Sequence, residues 1–425
     1  MADRSLALAL YRGFGRLITP ALPVLVALRA RRGKEDRTRS GERFGRASRP
    51  RPEGPLVWVH AASVGETNAV MPLVGRLVAA GHAVVLTTTT LTSARIAADR
   101  LPQGAVHQFV PFDTAGPVRR FLDHWRPEAA IFVESEIWPT MLSALKARGI
   151  AIAVVNARLS ERSWRRWKAT GSIARGVFGM IGASVAQTEG DAARFRDLGV
   201  ASSLAAGNLK FDVDPQPADP AAVAALAAEI GARPVWIAAS THPGEDEMVI
   251  AAHRQLTASF PDILTLLVPR HPERGDAIAA LLAQNALAFS RRSKGEPVPA
   301  GPSVYLADTI GEMGLFYRQA RVAFLGGSLV PHGGHNPIEP AQLGAAIVTG
   351  PHVHNFRDVY TEFDRAAAIA KVDDASGLAK EVGRLLQNQS DTDALIARAA
   401  TIVDAGRGGI ERTFEALRPL LSERA

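Results

Sequence analysis

The side chains in this sequence that can do acid–base or anion chemistry fall in short stretches that follow apolar runs. The first, V-W-V-H-A-A-S-V-G-E, runs from Val57 to Glu66 and passes from an apolar segment through small residues into a helix whose first turn carries Glu66. A carboxylate at the end of a strand is placed as a general base must be. The plainer reading is that acidic residues favour the first turn of any helix, for dipole reasons worth roughly a few tenths of a kcal/mol. The second stretch, F-V-E-S-E-I-W-P from Phe132 to Pro139, sets Glu134 and Glu136 two residues apart. They cannot share one helical face at that spacing, but a strand-end loop presents both, and two carboxylates can divide acid, base and electrostatic roles. The alternative for Glu136 is a place near a helix cap.

Two further stretches suit an anion. A-S-T-H at Ala239 to His242 and P-R-H-P at Pro269 to Pro272 each follow an apolar run, and the planar fork of Arg270 fits a phosphate or carboxylate. A solvated surface loop is the competing reading. From Phe324 to Pro340 the chain reads F-L-G-G-S-L-V-P-H-G-G-H-N-P-I-E-P. Gly326, Gly327, Gly333 and Gly334 let a backbone come close to a ligand, or only make tight turns. A helix expected from about Asn336 adds its N–H groups and dipole, and Glu339 can accept from ribose hydroxyls.

Two rival chemistries have partial signatures. Ala61-x-Ser63-x-Gly65 imitates the elbow that exposes a nucleophilic serine, but Ala stands for the first Gly and only a basic leader precedes it. His332 and His335 suggest zinc, yet their spacing across two glycines lacks the helical H-E-x-x-H frame, so no metal is expected.

The elements that must hold these residues alternate. Apolar strands are predicted at Leu56 to His60, Val84 to Thr88, Ala130 to Val133 and Ala151 to Val155, with a helix from Glu66 to Ala80. A Pro/Asp/Ala stretch from Asp212 to Pro220 reads as a linker. Strands resume at Val235 to Ala239, Leu264 to Val268, Val322 to Leu325 and Ala346 to Val348, with helices from Glu245, Arg274 and near Ile338. Strand–helix alternation implies parallel sheets covered on both faces, hence an α/β protein of two doubly wound domains facing a cleft. The expected division is a leader over 1–50, a first Rossmann-like domain over 51–215 and a second over 216–425. No G-x-G-x-x-G follows a candidate strand, which leaves a nicotinamide or flavin dehydrogenase without support.

The 425 residues carry a net charge of +7, but it is unevenly placed: residues 1–52 hold 13 Lys and Arg against 4 Asp and Glu. The remainder is close to neutral. Duplex nucleic acid would want cations spread over a folded face, so no nucleic-acid partner is expected. The absence of cysteine excludes disulfides, thiolate metal sites and a catalytic thiol. From Leu6 to Leu28 the leader is mainly apolar, interrupted by Arg12, Arg16, Pro20 and Pro23. These interruptions favour an interfacial anchor over a spanning helix, with Arg29, Arg31, Arg32, Lys34, Arg37 and Arg39 attracting an anionic membrane surface.

Taken together, the stretches resemble the Kdo (3-deoxy-D-manno-octulosonic acid) transferases. The resemblance runs from E-R-F-G at Glu42 to about Tyr360. It rests on H-A-A-S-V-G-E, E-S-E-I-W-P, N-A-R-L-S at Asn156 to Ser160, G-N-L-K-F-D at Gly207 to Asp212, P-R-H-P and G-G-H-N-P-I-E-P. It implies a GT-B fold, CMP-Kdo as donor, a hydroxyl of the tetraacyl lipid A precursor as acceptor, no cofactor, and the cytoplasmic face of the inner membrane. The positions matching the family's proton acceptor and transition-state stabilisers are Glu66, Glu136 and Lys210. Those matching its CMP contacts are Pro269, Arg270, Gly311, Glu312, Met313, Asn336, Pro337, Ile338 and Glu339. The alternative is another GT-B nucleotide-sugar enzyme, a transferase or an epimerase.

The implied chemistry is coherent. Departure of CMP develops oxocarbenium character at the sugar and charge on the phosphate, which Arg270, the expected helix start at Asn336 and Lys210 can meet. Glu66 would take the acceptor's proton, giving inversion in one displacement. The segment from Arg158 to Lys168 carries Trp164, Trp167 and several cations. It reads either as an interfacial surface for the acceptor's phosphates or as a helix with a solvated basic face.

Overall fold

The computed structural model describes residues 6–421 and, within them, the side chains of all but residues 6–10 and Arg12. The leader's expected apolar residues Leu6, Leu8 and Leu10 and its Arg12 thus lie outside the described side chains. The chain divides into two compact units, one running to Val213 and resuming at Gly406, the other comprising Asp214–Ala405.

The first unit is built on a parallel sheet of β1 (Leu56–Ala61), β2 (Ala83–Thr88), β3 (Ala105–Phe109), β4 (Ala129–Val133), β5 (Ala151–Ala157), β6 (Ala183–Ala186) and β7 (Ser202–Ala205). Every residue of β1, β2 and β4 is buried, as helices on both faces require, and this is why these strands read as unbroken apolar runs. The order β3-β2-β1-β4-β5-β6-β7 reverses direction between β1 and β4. These two pair in register from Val57↔Ala129 to His60↔Phe132, so their carboxyl ends emerge side by side.

The second unit repeats the plan with β8 (Val235–Thr241), β9 (Leu264–Pro269), β10 (Ala288–Arg291), β11 (Ser303–Leu306), β12 (Val322–Leu325), β13 (Ala346–Thr349) and β14 (Ile369–Lys371). Its order is β10-β11-β9-β8-β12-β13-β14, with the reversal between β8 and β12. Both sheets are therefore doubly wound, and in such sheets ligands bind beyond the carboxyl ends at the reversal.

Two expected boundaries change. The second domain does not run to 425: the helix Gly409–Leu417 buries Ile410, Phe414 and Leu417 in the first unit's core. Asp212 holds it there, its carboxylate accepting the N–H groups of Gly408 and Ile410, each at 2.6 Å, at the helix's N-terminal end. Nor is all of 1–50 a basic leader. Glu35, Glu42 and Arg43 are buried. Glu42 accepts Phe109 N–H at 2.7 Å and pairs with Arg39 at 2.9 Å, which ties the turn Ser40–Phe44 to β3 and takes Arg39 out of the lipid-facing set. Gly45 follows at φ 76°, where a Cβ would lie 2.0 Å from the Pro117 carbonyl oxygen, so the E-R-F-G turn demands glycine.

The N-terminal segment is also more regular than expected. Helices Leu6–Ile18 and Leu22–Arg31 are joined by the single 3-10 turn Thr19–Ala21. Both prolines occupy first-turn positions, where no intrahelical N–H is lost. Gly13–Arg31, 19 residues of mean hydropathy 1.3, is long and apolar enough to cross a membrane.

Replacing Asp212 by Ala should lower the stability of the first unit by about 2 kcal/mol, since two charge-assisted bonds at a helix start are lost. Denaturant unfolding followed by far-UV circular dichroism measures this, and an unchanged midpoint would remove the latch.

Candidate functional site

Where β1 and β4 part, the first unit gathers three carboxylates. Ser63 caps the helix Val64–Ala79, its hydroxyl accepting Glu66 N–H at 3.2 Å and donating to Glu66 Oε1 at 2.7 Å. Ala62 N–H donates to Glu66 Oε2 at 2.8 Å. The side chain is half-buried and its rotamer is set by these bonds. Burial raises its pKa and the charges of Glu134 and Glu136 raise it further, against the lowering bonds from Ser63 and Ala62. Ser63 is therefore a capping residue with an unstrained backbone (φ −108°), not a nucleophile on a sharp elbow.

Glu134 follows β4 at φ 60°, a left-handed conformation rarely held without glycine, fixed by its N–H donating to Val155 O at 2.9 Å. Its Oε1 accepts from Lys210 Nζ at 2.9 Å. Lys210, which the resemblance matched to a stabilising role together with Glu136, thus forms an ion pair with Glu134. Asn156 brings it there: this residue forms a bulge in β5 at φ 48°, and its Oδ1 accepts Leu209 N–H at 3.1 Å, at the start of the turn Leu209–Asp212.

Glu136 takes Trp138 Nε1–H on Oε2 at 2.7 Å, and His60 Nε2 stands 3.5 Å from the same oxygen. That second contact is at the outer edge of hydrogen-bond distance, and His60 Nε2 has no closer partner. Burial raises the Glu136 pKa, but His60 and Trp138 outweigh it and leave the group lowered. Two carboxylates beside one reversal are thus pushed in opposite directions, Glu66 toward protonation and Glu136 toward charge. His60 itself is fully buried and anchored through Nδ1 to Thr87, 3.0 Å from its hydroxyl. It is the residue the motif reading passed over. A lone histidine ending an apolar strand was the available signal.

The second unit gathers imidazoles and an arginine at the ends of its own central strands. Arg270 follows β9 with an exposed side chain and its N–H on Thr241 O at 3.1 Å. Ser240, at φ 59°, makes a bulge in β8 that matches the one in β5. His242 leaves β8 into a group of imidazoles: its Nε2 lies 2.9 Å from His335 Nε2, and its ring centroid lies 3.7 Å from that of His332 and 5.9 Å from that of His271. Underneath, the fully buried Glu245 accepts the N–H groups of His242, Gly327, Ser328 and Leu329 at 2.6–3.0 Å.

Several of the residues matched to nucleotide contacts also make contacts within the protein. A Cβ on Gly326 would lie 2.5 Å from Ser240 O, so this glycine serves the close approach of the protein's own loops. The helix expected near Asn336 is Ile338–Gln342, only five residues, too short to align a useful dipole. Asn336 Oδ1 accepts Ile338 N–H at 3.2 Å, and Glu339 Oε1 accepts Gln216 N–H at 3.0 Å. Pro337 and Ile338 are buried, as is Pro269 at the end of β9. Gly311 sits at φ 87° after β11, Glu312 is paired with Arg292 at 2.6 Å, and Met313 begins the helix Met313–Tyr317. Trp164 and Trp167 are half-buried against the first unit's core, and Trp164 Nε1 donates to Asp197 at 2.7 Å. Arg162, Arg165 and Arg166 remain exposed on that helix. Among the described residues no group of three or more His, Asp or Glu is arranged to hold a metal ion.

Known proteins are similar to this chain in sequence and in plan. Residues 38–213 match the family model described as 3-deoxy-D-manno-octulosonic-acid transferase (kdotransferase). The chain is 34% identical over 412 residues to the 3-deoxy-D-manno-octulosonic acid transferase of Haemophilus influenzae, covering 95% of this chain and 96% of that one. It is 38% identical over 391 residues to the enzyme of the same name from Bordetella pertussis, covering 89% and 91%. A glycosyltransferase from Rickettsia africae, 10% identical, matches 88% of this chain and 100% of its own with a TM-score of 0.57, a likeness of fold that fits the GT-B class. The chain belongs to the 3-deoxy-D-manno-octulosonic acid transferase family of glycosyltransferases.

Proposed function

We propose that this glycosyltransferase moves Kdo from CMP-Kdo to a hydroxyl of the tetraacyl lipid A precursor, with inversion and without a metal or other cofactor. The observation that carries the mechanism is the opposite tuning of Glu66 and Glu136 beside one reversal of the first sheet. Glu66 is the proton acceptor. A carboxylate that burial makes more basic takes a hydroxyl proton more readily than an ordinary surface glutamate. Glu136, kept ionised by His60 and Trp138, and Lys210, positioned by Glu134, are the charges that meet the oxocarbenium-like sugar and the departing phosphate. The second unit holds the nucleotide through Arg270 and the loops at Gly311–Met313 and Asn336–Glu339.

The N-terminal helices supply membrane attachment at the cytoplasmic face of the inner membrane. Phe14 and Leu17 are 62% and 79% exposed, and Val24, Leu25 and Leu28 are exposed beside them. Arg31, Arg32, Lys34 and Arg37 follow, all solvent-facing, each worth on the order of 1 kcal/mol near an anionic surface.

Incubating the protein with CMP-Kdo and the tetraacyl precursor should yield a lipid heavier by Kdo, read by mass spectrometry, with the anomeric configuration opposite to the donor's by NMR. Glu66→Gln should lower turnover at least about 100-fold with CMP binding retained; unchanged turnover would remove Glu66 as the base. The pH profile follows from the sign of its shift. A base works only when ionised, so kcat/KM should fall as pH drops through the Glu66 pKa, with a midpoint above the ordinary 4.5. Glu134→Gln removes a repelling charge and should move that limb to lower pH. Vesicles containing phosphatidylglycerol should retain the protein on flotation better than phosphatidylcholine alone, and Phe14→Ser with Leu17→Ser should weaken retention. A wild-type protein that stays unbound would sink the attachment.

A further inference from the structure

We propose that Asp113 is a positioning residue for Glu136. It fixes the first turn of the helix Pro139–Ala147, and through that turn the indole that holds Glu136, with Tyr11 of the N-terminal helix as a further donor. The proposal rests on reading Glu136 as a charge that meets the transition state.

The helix Pro139–Ala147 begins without a cap of its own. Trp138 occupies the place where Ser, Thr, Asp or Asn would accept an N–H, and its side chain makes no such bond. The first N–H groups of a helix have no intrahelical acceptors. Asp113, on the loop after β3, takes two of them: Thr140 N–H on Oδ2 at 3.1 Å and Met141 N–H on Oδ1 at 2.7 Å. Both carboxylate oxygens are thus spent on setting where this helix starts, with the helix dipole favouring their charge. Trp138 stands immediately before those donors, partly buried against the first unit's core, and its Nε1–H reaches Glu136 Oε2 at 2.7 Å. A displaced helix start therefore displaces the indole, and with it the oxygen that His60 Nε2 faces at 3.5 Å. The loop that carries Asp113 is itself tied down. Phe112 N–H donates to Arg43 O at 2.9 Å, and Thr114 N–H to Phe112 O at 2.7 Å.

The N-terminal helix Leu6–Ile18 completes the arrangement. Tyr11 O–H donates to Asp113 Oδ2 at 3.0 Å. Gly15, four residues on and so on the same face, lies over the same turn: a Cβ there would stand 3.5 Å from Thr114 Cγ2 and 3.9 Å from Asp113 O. Phe14 and Leu17 stay exposed. One face of the helix thus rests on the turn at Asp113 while these apolar residues remain open to solvent. Burial is the largest influence on Asp113 and raises its pKa, while the bonds from Thr140, Met141 and Tyr11 favour its ionised form. The phenol hydroxyl is therefore one of the donors that keep this carboxylate able to accept both N–H groups.

The test is a double-mutant cycle on turnover of the full chain with CMP-Kdo and the tetraacyl precursor. Asp113→Asn turns an amide NH2 group toward one of the two backbone donors, and should lower kcat about tenfold at unchanged KM for CMP-Kdo. Trp138→Phe removes the indole N–H and should lower kcat by a similar factor. In that background Asp113→Asn should cost less than about twofold, because effects that run through one chain of contacts do not multiply. A mere loss of folded protein would lower both backgrounds alike. Tyr11→Phe should lower kcat about threefold and add nothing to Asp113→Asn, with vesicle flotation unchanged. A full tenfold loss in both backgrounds, or an Asp113→Asn enzyme as fast as wild type, overturns the positioning. Should Asp113→Asn fail to fold, Tyr11→Phe and Trp138→Phe form the same cycle, and multiplying effects there overturn it. A Tyr11→Phe enzyme at full turnover removes the N-terminal helix from the arrangement. Glu136→Gln separates the two levels of failure. Unchanged turnover in that variant removes Glu136 as the stabilising charge, whereas lost turnover with multiplying Asp113 and Trp138 effects removes the positioning alone.

Discussion

Where a parallel sheet reverses its strand order, two central strands end side by side and their loops diverge. The backbone N–H groups exposed there need acceptors. Both units meet this constraint with the same local device, a Gly-Glu pair at the start of the helix that follows the central strand: Gly65-Glu66 after β1 and Gly244-Glu245 after β8. Glu245 is fully buried and gives its carboxylate to four N–H donors, binding the β8 and β12 loops into one piece. Glu66 gives one oxygen to Ala62 N–H and the other to the Ser63 hydroxyl, and stays half-buried. One glutamate accepts four backbone donors; its counterpart accepts one backbone donor and one hydroxyl.

The rest of each site is arranged around those anchors by backbone conformations that cost energy. Glu134, Asn156 and Ser240 all hold positive φ without being glycine, and each lies at or beside a reversal. The bulge at Asn156 turns its amide toward Leu209 and so sets the turn that carries Lys210 against Glu134. Two residues further, Asp212 fastens the returning C-terminal helix. A single short stretch, G-N-L-K-F-D, therefore links a charged group of the site to the stability of the unit.

The two halves also divide the electrostatics. The first concentrates carboxylates, one raised chiefly by burial and another lowered by its contacts with His60 and Trp138. The second gathers His242, His271, His332, His335 and Arg270 on the loops that follow β8, β9 and β12.

Much of this was legible in the residues alone. Interior strands buried on both faces, such as β1, β4, β8 and β12, must be continuously apolar, and they were found where such runs occur. Edge and near-edge strands such as β3, β7, β10 and β14 are partly exposed and mixed in composition, so periodicity did not mark them. The ordered motifs, and with them the family, needed only sequence, because spacing along the chain carries that information. What depended on tertiary structure was every pairing across long separations: Lys210 with Glu134, His60 with Glu136, His242 with His335, and Asp212 with the helix at Gly409–Leu417. Those contacts follow from strand order, which local residue types do not encode, and they decide which of several plausible side chains are charged, which are caps, and which are left to act.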